Sequence, residues 1–256
     1  MRHILRSHVG KRPNNEDAGR IVALDADHLL VVVADGMGGH AAGEVASTLA
    51  VETLVEAVVR AWPIADWAPL LKEAVLTANR KVYETSRAEK AVSGMGTTLD
   101  AVIVGIDRGI IAHVGDGRSY LMQSGRLTRL TEDHSYIGEL LRQGAISEAE
   151  AEVHPRRHVI LRAVGTEALV EVDLVAFEWS HGDRLLVCTD GFSNVVPAET
   201  IAALLSRTEL DVVTVGERLL EEALVRGGED NITLAVVEAP ADAAVETPTA
   251  EGGDDR

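Results

Sequence analysis

An uninterrupted apolar run, LLVVVA, occupies residues 29–34 and stops on Asp35. Such a run of β-branched and leucine residues predicts a buried strand. A glycine-rich turn follows, and apolar residues at helical spacing then predict a helix over 42–59. The strand thus brings a carboxylate to its own end, where it needs cations, hydrogen bonds or a raised pKa. Gly36 lets the backbone approach whatever satisfies Asp35, and its carbonyl oxygen is a candidate metal ligand.

The rest of the chain alternates between helical and strand-like patterns. Trp62 and Pro63 end the first helix, and the next apolar stripe predicts a second helix over 67–88. Further strands are predicted over 98–106, 109–114, 118–123, 171–179, 184–188 and 232–237, and further helices over 197–206 and 211–226. Short connections predict that the strands over 98–106, 109–114 and 118–123 are antiparallel neighbours, and residues 124–126 predict a hairpin turn. Two long consecutive helices indicate a helical layer packed on a sheet.

Two stretches differ from this pattern. Residues 131–165 are polar with helical spacing, and we interpret them as an inserted surface subdomain of the kind that often determines substrate specificity. Residues 240–256 are rich in alanine, proline, glycine and acidic residues and have no apolar period, which predicts a disordered acidic tail. The sequence therefore predicts one folded domain over residues 1–239.

Four aspartates occupy equivalent places in the predicted elements. Each lies where a strand meets a glycine-containing or polar turn: Asp35, Asp116, Asp190 and Asp230. Capping a turn is the usual role of aspartate before glycine, and for any single one of them it is the simpler interpretation. If the strand ends meet, however, four carboxylates converge, and their mutual repulsion requires cations. Ligands that are all oxygen select Mg²⁺ or Mn²⁺ over zinc.

Charge and cysteine content exclude several other classes of function. A net charge of −17 argues against a nucleic-acid partner and against an anionic membrane, because both require a basic surface. Cys188 is the only cysteine and lies in an apolar run, which favours a buried thiol over a nucleophile. The N-terminus has no signal-peptide core, and no stretch has the length of a membrane span. We therefore expect a cytoplasmic protein.

Seven short motifs follow one another along the chain. They are RPNNED at 12–17, VADGMGGH at 33–40, GMGTT at 94–98, HVGDGRS at 113–119, LTEDHS at 130–135, TDG at 189–191 and EDNIT at 229–233. This ordered series resembles that of the metal-dependent protein serine/threonine phosphatases, type 2C, and it is most similar to the bacterial branch. The likeness covers residues 8–238, and seven ordered motifs are far more specific than any one of them alone.

The resemblance implies an α+β fold, a four-layer α-β-β-α sandwich in which two antiparallel sheets are flanked by helix pairs. It also implies two bound Mn²⁺ or Mg²⁺ ions and a third, weaker ion. By this resemblance Asp35 bridges the first two ions, and the Gly36 carbonyl binds one of them. Asp190 and Asp230 bind the other ion, and Asp116 joins Asp190 in holding the third.

Two further residues acquire roles from the same resemblance. Arg12 is similar to the arginine that binds the substrate phosphate, and Glu16 resembles an outer-shell acid bonded to metal-bound water. The chemistry agrees, because two cations neutralise a phosphate monoester and acidify a shared water for in-line attack. A guanidinium binds the equatorial phosphate oxygens in a bidentate fork. This route needs no covalent intermediate, which is consistent with the lack of a candidate nucleophilic cysteine.

Three positions depart from the family pattern. Met37 occupies the place where animal members carry a histidine that acts as the general acid. His40, in the same turn, is a candidate either for that acid or for a residue that holds the loop. Asn194 stands where many relatives have a second acid, which affects one contact to metal-bound water. His158 replaces an asparagine that is frequent in the flap motif, and we expect this change to affect the flap and not the core chemistry.

The leading hypothesis is a phosphatase that hydrolyses phosphoserine and phosphothreonine in proteins and opposes a bacterial serine/threonine kinase. Its partners would be phosphorylated proteins, including that kinase, and we expect a monomer. One alternative is a related phosphatase acting on anti-sigma-factor antagonists, although this sequence includes no sensor domain. Another is a catalytically silent scaffold that binds phosphoproteins. Loss of the metal-binding aspartates would support the scaffold, and all four are present.

Overall fold

Two antiparallel β-sheets lie face to face, and helices cover their outer faces. A computed structural model describes residues 1–39 and 41–240, so His40 and residues 241–256 of the predicted tail lie outside the described residues. The described strands are β1 (Arg2–His8), β2 (Asp17–Ala23), β3 (Leu29–Met37), β4 (Gly96–Thr97), β5 (Leu99–Val104), β6 (Arg108–Val114), β7 (Arg118–Gln123), β8 (Arg126–Arg129), β9 (Asp173–Glu178), β10 (Arg184–Cys188) and β11 (Ile232–Glu238). The described α-helices are α1 (Ala41–Ala61), α2 (Trp67–Ala88), α3 (Tyr136–Arg142), α4 (Glu148–Glu152), α5 (Asp190–Ser193), α6 (Ala198–Leu205) and α7 (Val212–Val225).

The strand order confirms the predicted sandwich. One sheet has the order β1-β11-β10-β7-β8, and the other has the order β2-β3-β5-β6-β9, with β4 added at the end of β3. Neighbouring strands are antiparallel in both sheets. The short connection between β5 and β6 gives the predicted antiparallel pair. The predicted pairing of β6 with β7 was wrong, because the chain crosses to the other sheet there and β7 pairs with β8 and β10. Helices α1 and α2 pack on the second sheet, and α6 and α7 pack on the first. These are the four layers of the expected α+β fold.

The apolar run in β3 does not alternate with polar residues because both faces of the strand are buried. Leu30 and Val32 belong to the core beneath α1 and α2. Val31 and Val33 belong to the core between the two sheets. With its sides packed in this way, the strand is fixed in position up to the carboxylate that follows the run.

The sequence pattern did not predict β1 and β2. Strand β1 lies at the edge of its sheet, and among its residues Ile4 alone is fully buried, so its apolar signal is weak. Strand β2 is also an edge strand, and none of its residues is fully buried. Both therefore owe their place in the sheets to pairing with β11 and β3, which are buried strands.

The inserted segment contains less helix than expected. Within the flap, defined here as residues 131–165, only α3 and the five-residue α4 are α-helical among the described residues. Isolated bridges connect Thr97 with Val164 and Ser135 with Ile160. The first bridge attaches the flap to the end of β4, and the second joins two parts of the flap itself.

Two further expectations concern the interior and the membrane. Cys188 is fully buried in β10, and burial raises the pKa of its thiol, as expected of a structural cysteine. Among the described helices, none combines the length with the apolar character that crossing a bilayer requires.

Candidate active site

A cavity of about 560 Å³ opens where β3 and β10 end and β11 begins. Its lining includes the predicted metal-binding residues together with the predicted phosphate-binding and outer-shell residues: Asp35, Gly36, Asp116, Asp190, Asp230, Arg12 and Glu16. Residues that are more than 200 positions apart in the chain thus share one cavity. The structure brings together every predicted site residue that it describes.

Asp35 is held by hydrogen bonds from the GMGTT motif. Its backbone N–H donates to Oγ1 of Thr98 at 2.9 Å, and its carbonyl oxygen accepts from the Thr98 N–H and from Oγ1 of Thr97, both at 2.8 Å. At the next residue, a Cβ on Gly36 would lie 2.0 Å from the carbonyl oxygen of Gly43. Because no side chain fits there, glycine is required for β3 to reach the first turn of α1.

The other predicted aspartates lie at turns between elements. Asp116 follows Gly115, whose φ of +117° favours glycine. Asp190 is the first residue of α5, directly after β10. Asp230 precedes β11, and its Oδ1 accepts the backbone N–H of Asn231 at 2.8 Å. Three separate chain segments therefore each present one carboxylate to the cavity.

A further aspartate, which the sequence analysis did not assign, belongs to the same cluster. Asp17 pairs with Asp35 in the register of β2 and β3. Its Oδ2 accepts a hydrogen bond from Oγ1 of Thr189 at 3.0 Å, and its Oδ1 is buried without a hydrogen-bond partner. The last residue of the RPNNED motif could have been assigned from the sequence only if β2 had been recognised, because the strand register places it opposite Asp35.

Burial and mutual repulsion raise the pKa values of four carboxyl groups of the cluster, those of Asp17, Asp35, Asp116 and Asp190. Burial, reinforced by Asp17 and Asp190, raises the pKa of Asp35 well above its usual range. Burial raises the pKa of Asp17 and of Asp116 to about 7, and repulsion from Asp190 adds to the effect. The pKa of Asp190 is also raised by burial. The cluster therefore cannot ionise fully near neutral pH without added positive charge.

The donor set fits hard divalent cations that keep part of their water shell. The Oδ1 atoms of Asp17 and Asp116 are buried without hydrogen-bond partners, so their lone pairs are available. Within residues 1–39 and 41–240, however, no three His, Cys, Asp or Glu side chains form a ready-made ligand group. Mg²⁺ and Mn²⁺ bind through a few protein oxygens and retained waters, so widely spaced carboxylates suit them.

Arg12 and Glu16 lie beside these carboxylates on the segment before β2. Nη2 of Arg12 donates to Oδ2 of Asp230 at 2.7 Å, and both side chains are partly exposed. The backbone N–H of Glu16 donates to Oδ1 of Asn231 at 2.7 Å, and its carbonyl oxygen accepts from the N–H of Gly36 at 3.0 Å. The RPNNED motif is thus tied both to the EDNIT motif and to the end of β3.

Comparisons with known proteins identify the family. Residues 6–226 match the family described as Protein phosphatase 2C. The chain belongs to the protein phosphatase 2C family. A relative from Listeria monocytogenes, named serine/threonine phosphatase stp, is 41% identical over 241 residues, and the alignment covers 89% of this chain and 91% of the relative. This member of the 2C family is therefore an enzyme, a metal-dependent protein serine/threonine phosphatase.

Solved structures of 2C phosphatases have the same fold. The crystal structure of the Mycobacterium tuberculosis serine/threonine phosphatase PstP/Ppp matches with a TM-score of 0.83 and 39% identity, covering 93% of this chain and 97% of that one. The catalytic domain of PstP in complex with 2 manganese ions matches with a TM-score of 0.81 and 38% identity, over 93% and 97% of the two chains. This chain spans 45% of the full length of PstP, to which it is 40% identical.

All three departures from the 2C pattern lie at the cavity, and Met37 is part of its lining. Nδ2 of Asn194 donates a hydrogen bond to Oδ2 of Asp190 at 3.1 Å, so one of the two carboxylate oxygens of Asp190 already accepts from an amide. His158 was expected to affect only the flap, but it lines the cavity together with Asp116 and Asp190. The expectation that His158 affects the flap and not the core chemistry stays a prediction. His40, the candidate general acid, lies outside the described residues.

Proposed function

We propose that this 2C phosphatase holds two Mn²⁺ or Mg²⁺ ions through Asp35, the Gly36 carbonyl, Asp190 and Asp230 and that it dephosphorylates phosphoserine and phosphothreonine in proteins. The observation that carries the proposal is the cluster of carboxyl groups whose pKa values are raised by burial and mutual repulsion in one cavity. Bound ions would neutralise the phosphate dianion and acidify the attacking water. Asp17 adds a further buried carboxyl group opposite Asp35 in the register of β2 and β3.

In this proposal Arg12 binds and orients the substrate phosphate. Its side chain is 55% exposed at the cavity, where the guanidinium is accessible to a protein-bound phosphate. Two parallel N–H donors match two equatorial phosphate oxygens. Glu16, held through its backbone by Asn231, is assigned the role of an outer-shell hydrogen-bond acceptor.

A third, weaker ion is assigned to Asp116 and Asp190. Asp116 is supported as a ligand by its buried Oδ1, which has no hydrogen-bond partner. The amide of Asn194 competes for Oδ2 of Asp190, which is consistent with weaker binding at this position than at the other two. Replacing a carboxylate by an amide also removes one negative charge from the neighbourhood of this ion.

The substrates of the proposed enzyme are phosphorylated proteins, among them a bacterial serine/threonine kinase and the targets of that kinase. The catalytic domain is assigned to residues 1–239, with the flap at 131–165 inserted in it and a disordered acidic tail at 240–256. We propose that the domain acts as a monomer. The cytoplasmic location stays a prediction.

Phosphate release from synthetic phosphopeptides tests the proposed function. We expect phosphoserine and phosphothreonine peptides to be hydrolysed in Mn²⁺, while phosphotyrosine peptides of the same sequence react more slowly. EDTA should stop turnover, and added Mn²⁺ should restore it. A protein that binds the phosphopeptides but releases no phosphate in Mn²⁺ or Mg²⁺ would be the silent scaffold, and the proposal would be wrong.

A further inference from the structure

The flap contains a basic segment beside an otherwise acidic cavity. The chain has a net charge of −17, yet residues 153–166 contain three arginines, two histidines and no acidic residue. Arg156 and Arg157 are adjacent and exposed. A local charge opposite to that of the whole molecule attracts ligands that the rest of the surface repels.

A short stretch, which begins as a turn over residues 155–158, connects these arginines to the cavity. The bridge between Ser135 and Ile160 holds it against the base of the flap. His158 and Ile160 line the cavity, whereas Val159 and Leu161 are 42% and 58% exposed. A peptide whose phosphorylated residue enters the cavity would therefore pass this stretch and its exposed apolar residues.

Arg156 and Arg157 differ from other arginines of the flap because they lack an acidic partner. Arg142 and Arg162 form ion pairs with neighbouring acids at 2.7 and 2.6 Å. Among the side chains that the structure describes, no carboxylate lies within ion-pair distance of Arg156 or Arg157. The Arg156 guanidinium lies 5.4 Å from the ring centroid of Tyr136, which restricts its motion. Both guanidinium groups are thus available to an external carboxylate.

We propose that Arg156, Arg157 and His158, here called the basic strip, bind an acidic segment that flanks the phosphorylated residue of a protein substrate. The inference rests on the proposed phosphatase function and adds a substrate class to it. An extended peptide advances about 3.3 Å per residue, so acidic residues within a few positions of the phosphoresidue reach the arginines. Pairing between opposite charges at such a rim accelerates association and selects among partners.

The preference for peptide charge tests the basic strip. The variant Arg156→Glu/Arg157→Glu is compared with Arg80→Glu/Arg126→Glu, which changes the net charge equally at exposed arginines of α2 and β8. For each protein, kcat/KM is measured with phosphothreonine peptides flanked by Asp and Glu or by Lys. Each value is divided by the turnover of p-nitrophenyl phosphate, which corrects for damage to the catalytic centre.

We expect the wild type to prefer the acidic peptide. In the strip variant, the ratio of kcat/KM for the acidic peptide to kcat/KM for the basic peptide should be lower by roughly tenfold or more at low ionic strength. The control variant should keep the wild-type ratio, and about 0.5 M salt should reduce the difference by screening. The Arg156→Gln/Arg157→Gln variant should give an intermediate ratio, which shows that the effect follows the charge of the strip and not misfolding.

Three outcomes would overturn the inference. One is a wild-type enzyme that treats both peptides alike, and another is an unchanged ratio in the strip variant. The third is an equal loss of the ratio in the control variant, because net charge would then determine the preference. Each of these leaves the phosphatase function intact. Failure of the wild type to release phosphate from any peptide in Mn²⁺ would instead contradict the proposed function and this inference with it.

Discussion

The guanidinium of Arg12 donates a hydrogen bond to Oδ2 of Asp230 at 2.7 Å. The proposed phosphate-binding residue and a proposed metal ligand therefore hold each other in this structure. A cation on Asp230 would compete with Arg12 for the same carboxylate. Metal binding and phosphate binding are thus connected, since the ion that occupies Asp230 leaves Arg12 available for substrate.

The first prediction concerns the variant Arg12→Ala. We expect KM for a phosphopeptide to rise by roughly 10- to 150-fold, which corresponds to about 1.5–3 kcal/mol for a hydrogen bond to a charged group. Mn²⁺ affinity should stay the same or increase, because the variant removes a competitor from Asp230. Steady-state kinetics at saturating Mn²⁺ and calorimetric titration with Mn²⁺ provide the two measurements.

Lys11→Ala is the matched control for Arg12→Ala. Lys11 pairs with Glu229 at 2.6 Å, one residue away from each member of the Arg12–Asp230 pair, and both side chains of the pair are exposed. We expect this variant to change KM by less than about threefold, as is usual for an exposed ion pair. If Arg12→Ala weakened Mn²⁺ binding as much as it weakened substrate binding, Arg12 would be a support for the metal ligand and not a phosphate ligand.

The second prediction is that Asp190→Asn abolishes turnover and leaves the fold intact. Asp190 is assigned to two ions, so both lose a charged ligand. In EDTA the melting temperature of the variant should equal or exceed that of the wild type, because one repelling carboxylate has been removed. The control Asp107→Asn, at an exposed turn between β5 and β6, should behave like the wild type in both assays. Near-wild-type activity in saturating Mn²⁺ would exclude Asp190 from the site.

The elements that bury the most apolar surface were predictable from the sequence. Strands β3 and β10 and helices α1 and α2 follow from their apolar runs and stripes, because packing on both faces leaves a clear pattern. The positions of the predicted aspartates at the ends of such strands also followed from the pattern. The edge strand β2 was missed because none of its residues is fully buried, and the role of Asp17 was missed with it.

Tertiary contacts of the flap and of the phosphate-binding segment could not be derived from the sequence. His158 and Ile160 line the cavity, and the bridge between Ser135 and Ile160 joins residues that no local pattern relates. The pair between Arg12 and Asp230 joins residues that are 218 positions apart. Contacts of this kind depend on how complete elements pack, and periodicity describes only single elements.

The third prediction concerns the source of the leaving-group proton. Met37 occupies the position of the histidine found in animal relatives, and His40 is the nearest candidate in the sequence. We expect His40→Ala to slow the hydrolysis of phosphopeptides and of p-nitrophenyl phosphate by the same factor. The reason is that a histidine between Gly39 and Gly43 is expected to hold a turn next to a metal ligand. A general acid would instead give a loss of roughly 10²-fold with the phosphopeptide alone, since p-nitrophenolate leaves without a proton.

The fourth prediction is that the metal-free protein becomes less stable as the pH rises from 5 to 8. Asp17 and Asp116 have pKa values of about 7 in the folded protein, against 3.8 for the ordinary group. The folded state therefore binds more protons than the unfolded chain in this range, and this contribution to stability is lost as the pH rises through 7. In EDTA we expect the melting temperature to fall by roughly 5 °C or more. Saturating Mn²⁺ should abolish this dependence of the melting temperature on pH. An equal dependence with and without Mn²⁺ would show that these carboxylates do not bind the ions.

The last prediction concerns Arg118, which connects the flap to two of the acidic segments. Its guanidinium binds Asp133 through Nε at 3.1 Å and Nη2 at 2.8 Å, and Nη1 donates to the carbonyl oxygen of Ser193 at 3.3 Å. Asp133 lies at the base of the flap, and Ser193 is the last residue of α5, which begins at Asp190. Although burial opposes it, Arg118 lowers the pKa of Asp133, so both members of the pair are charged at neutral pH.

Removing one member of this pair leaves the other charge largely buried. We expect Arg118→Ala to lower the free energy of unfolding by about 3 kcal/mol, and Arg118→Lys to recover only part of it, because an ammonium cannot form the fork. Arg129→Ala, which removes the more exposed partner of Asp133, should cost less than about 1 kcal/mol. In a double-mutant cycle, Arg118→Ala and Asp133→Ala should couple by about 1.5 kcal/mol or more when measured by urea unfolding. Additive losses would mean that the flap and α5 are held by other contacts, and that Arg118 does not connect them.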